Sequence, residues 1–395
     1  MPFTVWTLVI AQSLAMCTAP FIVFIGSLQG RALAPSPGLA TLPVALVVIG
    51  TVLAVKPVTV LMSRWGRKPV MLLGAGVGAM AAGLGALATV QESFALICAS
   101  STIGGMALAV VHQYRFAAME VVPEGLAGTA AARVLLGGMA AAWLGPELAM
   151  LGFGGGAESG FVTGWLALAV VQLLAGMVVF VGYHDGGAVA NHHGGHGGRS
   201  LILIFRQPVI WAAISSAAIG YGLMSFIMTA TPLSMTEMAG HPMEDAKLVI
   251  QLHILAMYLP SLVSGWLTRR IGLAWMMIWG LVSYLACVLV ASSGTGFSHF
   301  LVALVLLGVG WNLLFVAGTT LLPQGYRSEE RFRVQGMNDM LIFGVQAAAA
   351  LSAGAVLNGL GWQGVLYLAI PFLVVHGVVM ILWRRPGQNA VCEAP

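Results

Sequence analysis

Twelve apolar runs of 20 or more residues, set apart by Gly, Pro and charge, make up most of this 395-residue chain. Their approximate spans are 4–29, 39–62, 70–90, 94–118, 126–152, 160–182, 208–233, 246–267, 273–292, 297–321, 335–357 and 362–383. A helix needs about 20 apolar residues to cross a hydrocarbon core of about 30 Å, and each run is long enough. Soluble chains carry about 25% charged residues; here the figure is 8%, against 59% hydrophobic. Backbone polar groups in lipid must be satisfied within the structure, which restricts spanning segments to helices and closed barrels. Runs of this length predict an all-α polytopic membrane protein with 12 transmembrane helices, its main partner the lipid bilayer. The 51 glycines fit close helix packing in lipid.

Charge then predicts orientation. Alternate loops hold Arg64, Arg67 and Lys68; Arg115; Arg199 and Arg206; Arg269 and Arg270; Arg327, Arg331 and Arg333; and Arg384 and Arg385. The intervening loops hold Arg31 and Lys247. The bias places both termini in the cytoplasm. It also accounts for the net charge of +4 without a nucleic-acid partner, because the bases form no surface stripe. The first 30 residues lack a basic leader and a cleavage site, so they read as a first span. Cys17, Cys98, Cys287 and Cys392 are scattered, with no CxxC pair, and predict neither a disulfide framework nor thiol redox chemistry.

The longest polar stretch, Tyr183 to Ser200, divides the chain into six-span halves at 1–182 and 202–395, joined by a cytoplasmic His/Gly-rich linker at 183–201. The halves echo each other: Arg64-Trp65-Gly66 follows span two and Arg270-Ile271-Gly272 follows span eight, 206 residues on. A parallel 6+6 repeat is an architecture of secondary transporters with a midplane site. The segment Ser63-Arg64-Trp65-Gly66-Arg67-Lys68 resembles the basic loop motif of the major facilitator superfamily, although Ser63 stands where an acidic residue is usual. The resemblance implies two six-helix bundles, alternating access and a monomer.

Two helices carry soft metal ligands one turn apart: Met224 and Met228 on span seven, His253 and Met257 on span eight. Four-residue spacing puts each pair on one helix face. In a level antiparallel hairpin they form two rungs roughly 6 Å apart. Thioethers select Cu(I) over hard cations. The paired MxxxM and HxxxM motifs resemble those of CcoA-type bacterial copper importers of the same superfamily. That resemblance implies copper as transported substrate, an inner-membrane location, a cytoplasmic copper acceptor protein and a role in cytochrome oxidase assembly. The competing reading is Met as core filler and His253 as a hydrogen-bonded bundle residue.

Other groups fill out the expectation. Met235, Met238, His241 and Met243 cluster in the outer loop between these spans, as a metal-capture site or as ordinary interfacial residues. His184, His192, His193 and His196 lie among glycines in the linker, as a weak cytoplasmic metal site or as plain solvated chain. Arg64, Arg67 and Lys68 read as gating residues. Arg115 and Glu120 are expected to form an ion pair at the cytoplasmic end of span four, the alternative being a proton relay with Glu120 as a coupling carboxylate. Glu147, beside Gly145-Pro146, is a coupling carboxylate or an outer-end residue near water. Asn338 and Asp339 are expected to open span eleven near Arg331 and Arg333 as a gate-stabilising cluster. Lys56 before Pro57 is placed to snorkel. Intramembrane polar groups are candidates for function by default.

No Walker loop and no GxSxG occurs, so an enzyme or an ATP-driven pump has no support and no cofactor is expected. Two alternatives to copper uptake stay open. One is a carrier of riboflavin or another small organic solute, for which Trp311, Asn312, Tyr221 and Tyr258 offer stacking and amide groups. The other is a copper sensor or chaperone that does not transport.

Overall fold

A computed structural model describes residues 2–151, 157–184, 199–327 and 330–384. His192, His193 and His196 of the linker, and Cys392, lie outside the described residues. The described chain is helical, as the apolar runs predict. The first half runs α1 (Phe3–Ala15), α2 (Thr18–Leu33), α3 (Leu42–Trp65), α4 (Arg67–Val90), α5 (Phe94–Val111), α6 (Tyr114–Glu120), α7 (Glu124–Met150) and α8 (Ala157–Gly182). The second runs α9 (Leu201–Ile204), α10 (Pro208–Leu233), α11 (Met243–Tyr258), α12 (Ser261–Ile271), α13 (Leu273–Ser292), α14 (Phe297–Leu321) and α15 (Arg331–Arg384). The pairs α1/α2, α5/α6 and α11/α12 each make one broken span. The 54 residues of α15 are two spans folded at Gly361, where φ is 67° and ψ −173°. The described residues thus make twelve spans in two six-helix bundles.

Proline explains two of the breaks. Pro20 has no N–H to give the Met16 carbonyl, and Ala19 N bonds to Met16 at 3.2 Å instead. Pro260 likewise deprives Ala256, and the chain restarts at Ser261. Asn312 on α14 repairs that second break: its amide donates to the Met257 carbonyl at 2.7 Å and to Ser261 Oγ at 2.5 Å. The internal echo is structural as well. Gly66 (φ 83°, ψ 171°) and Gly272 (φ 80°, ψ 163°) make the same sharp turn between consecutive spans in each half. Positive φ of this kind is costly for a residue with a Cβ.

Small residues set the helix spacing. A Cβ on Gly50 would strike the Thr102 carbonyl, and one on Gly105 the Val47 carbonyl, so α3 and α5 meet backbone to backbone. The outer face is apolar, as lipid requires: Met177, Phe180 and Val181 of α8 are all exposed.

Charges at the terminal face depart from expectation in two respects. Glu120 accepts from Arg67 Nε at 2.6 Å, with a second contact to the same guanidinium, and not from Arg115. Five residues along a helix turn two side chains to opposite faces. Arg115 instead stacks its guanidinium 4.7 Å from the Phe116 ring. Asn338 and Asp339 do not open a helix, since α15 starts at Arg331. Lys68 lies 5.6 Å from the Phe180 ring, while Arg64 and His184 are exposed.

Candidate functional site between the bundles

The bundles enclose a cavity with about 930 Å³ of space between atoms, part of it open to solvent. That space is far larger than a bare ion needs. Its walls come from the α1/α2 break, α2, α3, α5 and α7 of the first bundle, and from α10, α11 and α15 of the second.

Three kinds of side chain face it. Met16, Met224, Met228 and Met257 supply thioethers. Tyr221, Tyr258 and Phe343 supply rings. Trp311 and Phe315 stack behind them at 5.1 Å with an 8° interplanar angle, and Tyr221 stands edge-on to both at 5.0 and 5.2 Å. His112, Ser225 and Gln346 supply polar groups. Among the described residues, none of these three side chains, nor the Tyr221 and Tyr258 hydroxyls, is engaged by a protein partner. A cavity with ring faces on one wall and unspent donors and acceptors around it suits a planar molecule with polar edges.

The predicted metal ligands divide. Met224, Met228 and Met257 share the cavity wall. His253 is fully buried behind it, with Nδ1 2.7 Å from the Leu304 carbonyl of α14. A carbonyl only accepts, so Nδ1 carries the proton and Nε2 keeps its lone pair, which has no partner. The outer cluster divides too. Met235 is buried and, with Met238, belongs to a π-helical turn that continues α10 over Ser234–Met238. Met238 is exposed. His241 lies 2.7 Å from the Thr295 carbonyl and 3.6 Å from Asp245, and Met243 is half-buried at the start of α11. These four do not converge on one point.

Cross-bundle contacts gather on the side away from the termini. Thr41 donates to the Ala350 carbonyl at 3.2 Å and accepts from Gly354 N at 3.0 Å. Gln251 donates to the Trp143 carbonyl and to Glu147, both within 3.1 Å, and Lys247 pairs with the same carboxylate. Glu147 is thus a half-exposed member of a latch. One turn of chain, Ala40 to Val44, separates the central cavity from a second crevice lined by Arg31, Glu237, Met238 and Asn358. Toward the termini, Lys56, Asp339, Leu262 and Trp266 are exposed.

Residues 225–393 match the Major Facilitator Superfamily profile. The chain is 30% identical to the uncharacterized MFS-type transporter YdeG of Bacillus subtilis, over 91% of this chain and 85% of that one. The chain belongs to the major facilitator superfamily. It is also 34% identical to the riboflavin transporter RfnT of Brucella anthropi, over 98% of this chain and 97% of that one. The major facilitator fold itself matches a point mutant of the nucleoside transporter NupG at a TM-score of 0.74 and 15% identity, covering 97% of this chain and all of that one. A bacterial homologue of the human lysosomal transporter Spinster, inward-facing and unoccupied, matches at 0.72 and 12% identity, with 97% of each chain covered. The protein is therefore a multi-pass membrane transporter of facilitator type. One relative with a named substrate is a riboflavin transporter, which supports the organic-solute reading over copper.

Sequence reasoning had Tyr221 and Tyr258 among the groups available to an organic solute. It passed over Gln346, Ser225 and Phe343, and Gln346 carried a signal, as an amide within an apolar run. Asn312 was expected among the cavity groups, but it serves the α11/α12 break.

Proposed function

We propose that this chain imports a small planar heteroaromatic solute of the riboflavin class across the bacterial inner membrane by alternating exposure of the central cavity. The observation that carries this reading is that the rings of Tyr221, Tyr258 and Phe343 line the same cavity as the unspent polar groups of His112, Ser225 and Gln346. Stacking holds the ring system, and the polar groups read its edge. The 34% identity to a riboflavin transporter over nearly the whole of both chains supports it. The halves divide at 183–201, both termini are cytoplasmic, and a monomer in the bilayer is the working unit.

Cu(I) uptake is the second reading, and His253 favours it. Metal-binding histidines typically give their other N–H to a carbonyl or carboxylate, as His253 does to Leu304, which leaves Nε2 free. With Met224, Met228 and Met257 it forms a soft set, and a cytoplasmic copper acceptor would then take the cargo.

One experiment separates the two. Uptake of labelled riboflavin and of radioactive copper is measured in cells lacking their own importers. The strains carry the parent, Tyr221→Ala/Gln346→Ala, or Met228→Ala/His253→Ala. Riboflavin uptake lost in the first variant supports the flavin reading. Copper uptake lost only in the second supports Cu(I). A stable parent that takes up no riboflavin rejects the leading proposal.

A further inference from the structure

Leu108, His112 and Arg115 fall on one stripe of the fourth span, four and three residues apart. The chain keeps right-handed helical dihedrals through His112 and Gln113, so the stripe continues across the α5/α6 break. Gln346, Phe343 and Asp339 form a matching stripe on α15. Leu108 and His112, like Gln346 and Phe343, line the cavity. Arg115 and Asp339 therefore sit about one turn closer to the open mouth, one in each bundle.

Neither has a counter-charge within ion-pair distance among the described residues. Arg67 occupies Glu120. Arg115 Nε is buried with no acceptor. The Asp339 carboxylate accepts the amide of its neighbour Asn338 at 3.1 Å. A guanidinium at this depth is tolerated while the mouth admits water. Closing the mouth removes that water, and an unpaired charge then becomes costly.

We propose that Arg115 and Asp339 form an ion pair that shuts the mouth on the terminal side when the bundles tilt, opposite in action to the Glu147–Lys247 latch. The assignment holds whichever cargo the cavity takes.

The test uses the full chain without its four cysteines, in sealed vesicles of sorted orientation. Ser225→Cys in the cavity reports its exposure to an impermeant maleimide added on the terminal side. Arg115→Asp or Asp339→Arg places like charges face to face and should raise the labelling rate about threefold. The swap Arg115→Asp/Asp339→Arg should return it to the parent value. As a check independent of charge, Arg115→Cys/Asp339→Cys should form a disulfide under oxidant and block the labelling of Ser225→Cys. A swap that behaves like the single reversals overturns the proposal, and so does failure of the cysteine pair to cross-link in folded protein. Neither readout needs a transported substrate, so a failure here is distinguishable from failure of the riboflavin reading.

Discussion

Lys247 on α11 stands 3.0 Å from the carboxylate of Glu147 on α7, bridging the two bundles on the side away from the termini. Its side chain is 18% exposed and that of Glu147 41%, so water and salt screen the pair. Exposed pairs are worth about 0.2–1 kcal/mol. Glu147→Gln should raise labelling of Ala40→Cys from that side by no more than about fivefold. High salt should do the same to the parent and little to the variant. Equal labelling at all salt concentrations would remove the latch role.

Thr41 seals the same side by a different means. It is buried, and Thr41→Val removes two cross-bundle hydrogen bonds, to the Ala350 carbonyl and from Gly354 N. Buried neutral hydrogen bonds contribute about 0.5–1.5 kcal/mol each, together more than the exposed pair. Thr41→Val should therefore expose Ala40→Cys more than Glu147→Gln does. The reverse ranking would place the seal elsewhere.

Glu330 should contribute to acid unfolding. Its carboxylate is fully buried and accepts from the Arg199 side chain at 2.7 and 2.9 Å and from the backbone N–H groups of Arg199 and Arg327. The Arg199 hydrogen bonds, with those of the backbone, hold its pKa down to about 2 from an ordinary 4.5. A depressed carboxyl stabilises the fold above its unfolded value and loses that contribution as pH falls through its folded value. The stake is on the order of 3 kcal/mol. Between pH 4.5 and 2, the detergent-solubilised parent should lose melting temperature more steeply than Glu330→Gln, which should start lower at pH 7. Parallel curves would contradict the assignment.

Asn312→Leu tests the repaired break. It strips the Met257 carbonyl and Ser261 Oγ of their buried donor. A cost of about 1–3 kcal/mol is expected, read as a lower melting temperature. Transport should also weaken, because Met257 and Tyr258 border the cavity. An unchanged melting temperature would mean that water replaces the amide.

Much of the fold was legible because the bilayer fixes both the length and the polarity of a span. The Gly66 and Gly272 turns were legible as a repeat. The α1/α2 break was readable in principle from Pro20, four residues past Met16. The site was legible only in part. Four-residue spacing put Met224 and Met228 on one face, and the cavity took both. Whether the His253 ring faces that cavity depends on a carbonyl of α14, 51 residues away, which no local pattern encodes. Likewise the Glu120 partner comes from the start of α4, 53 residues earlier, although the five-residue spacing from Arg115 already argued against an in-helix pair.

The thioethers of Met16, Met224, Met228 and Met257 border space that water enters. Oxidation turns methionine into a polar, chiral sulfoxide, and dedicated reductases reverse it. Peroxide would therefore rewrite the lining of the path itself while leaving the scaffold in place. A preparation kept under reductant and one aged in air are then chemically different carriers.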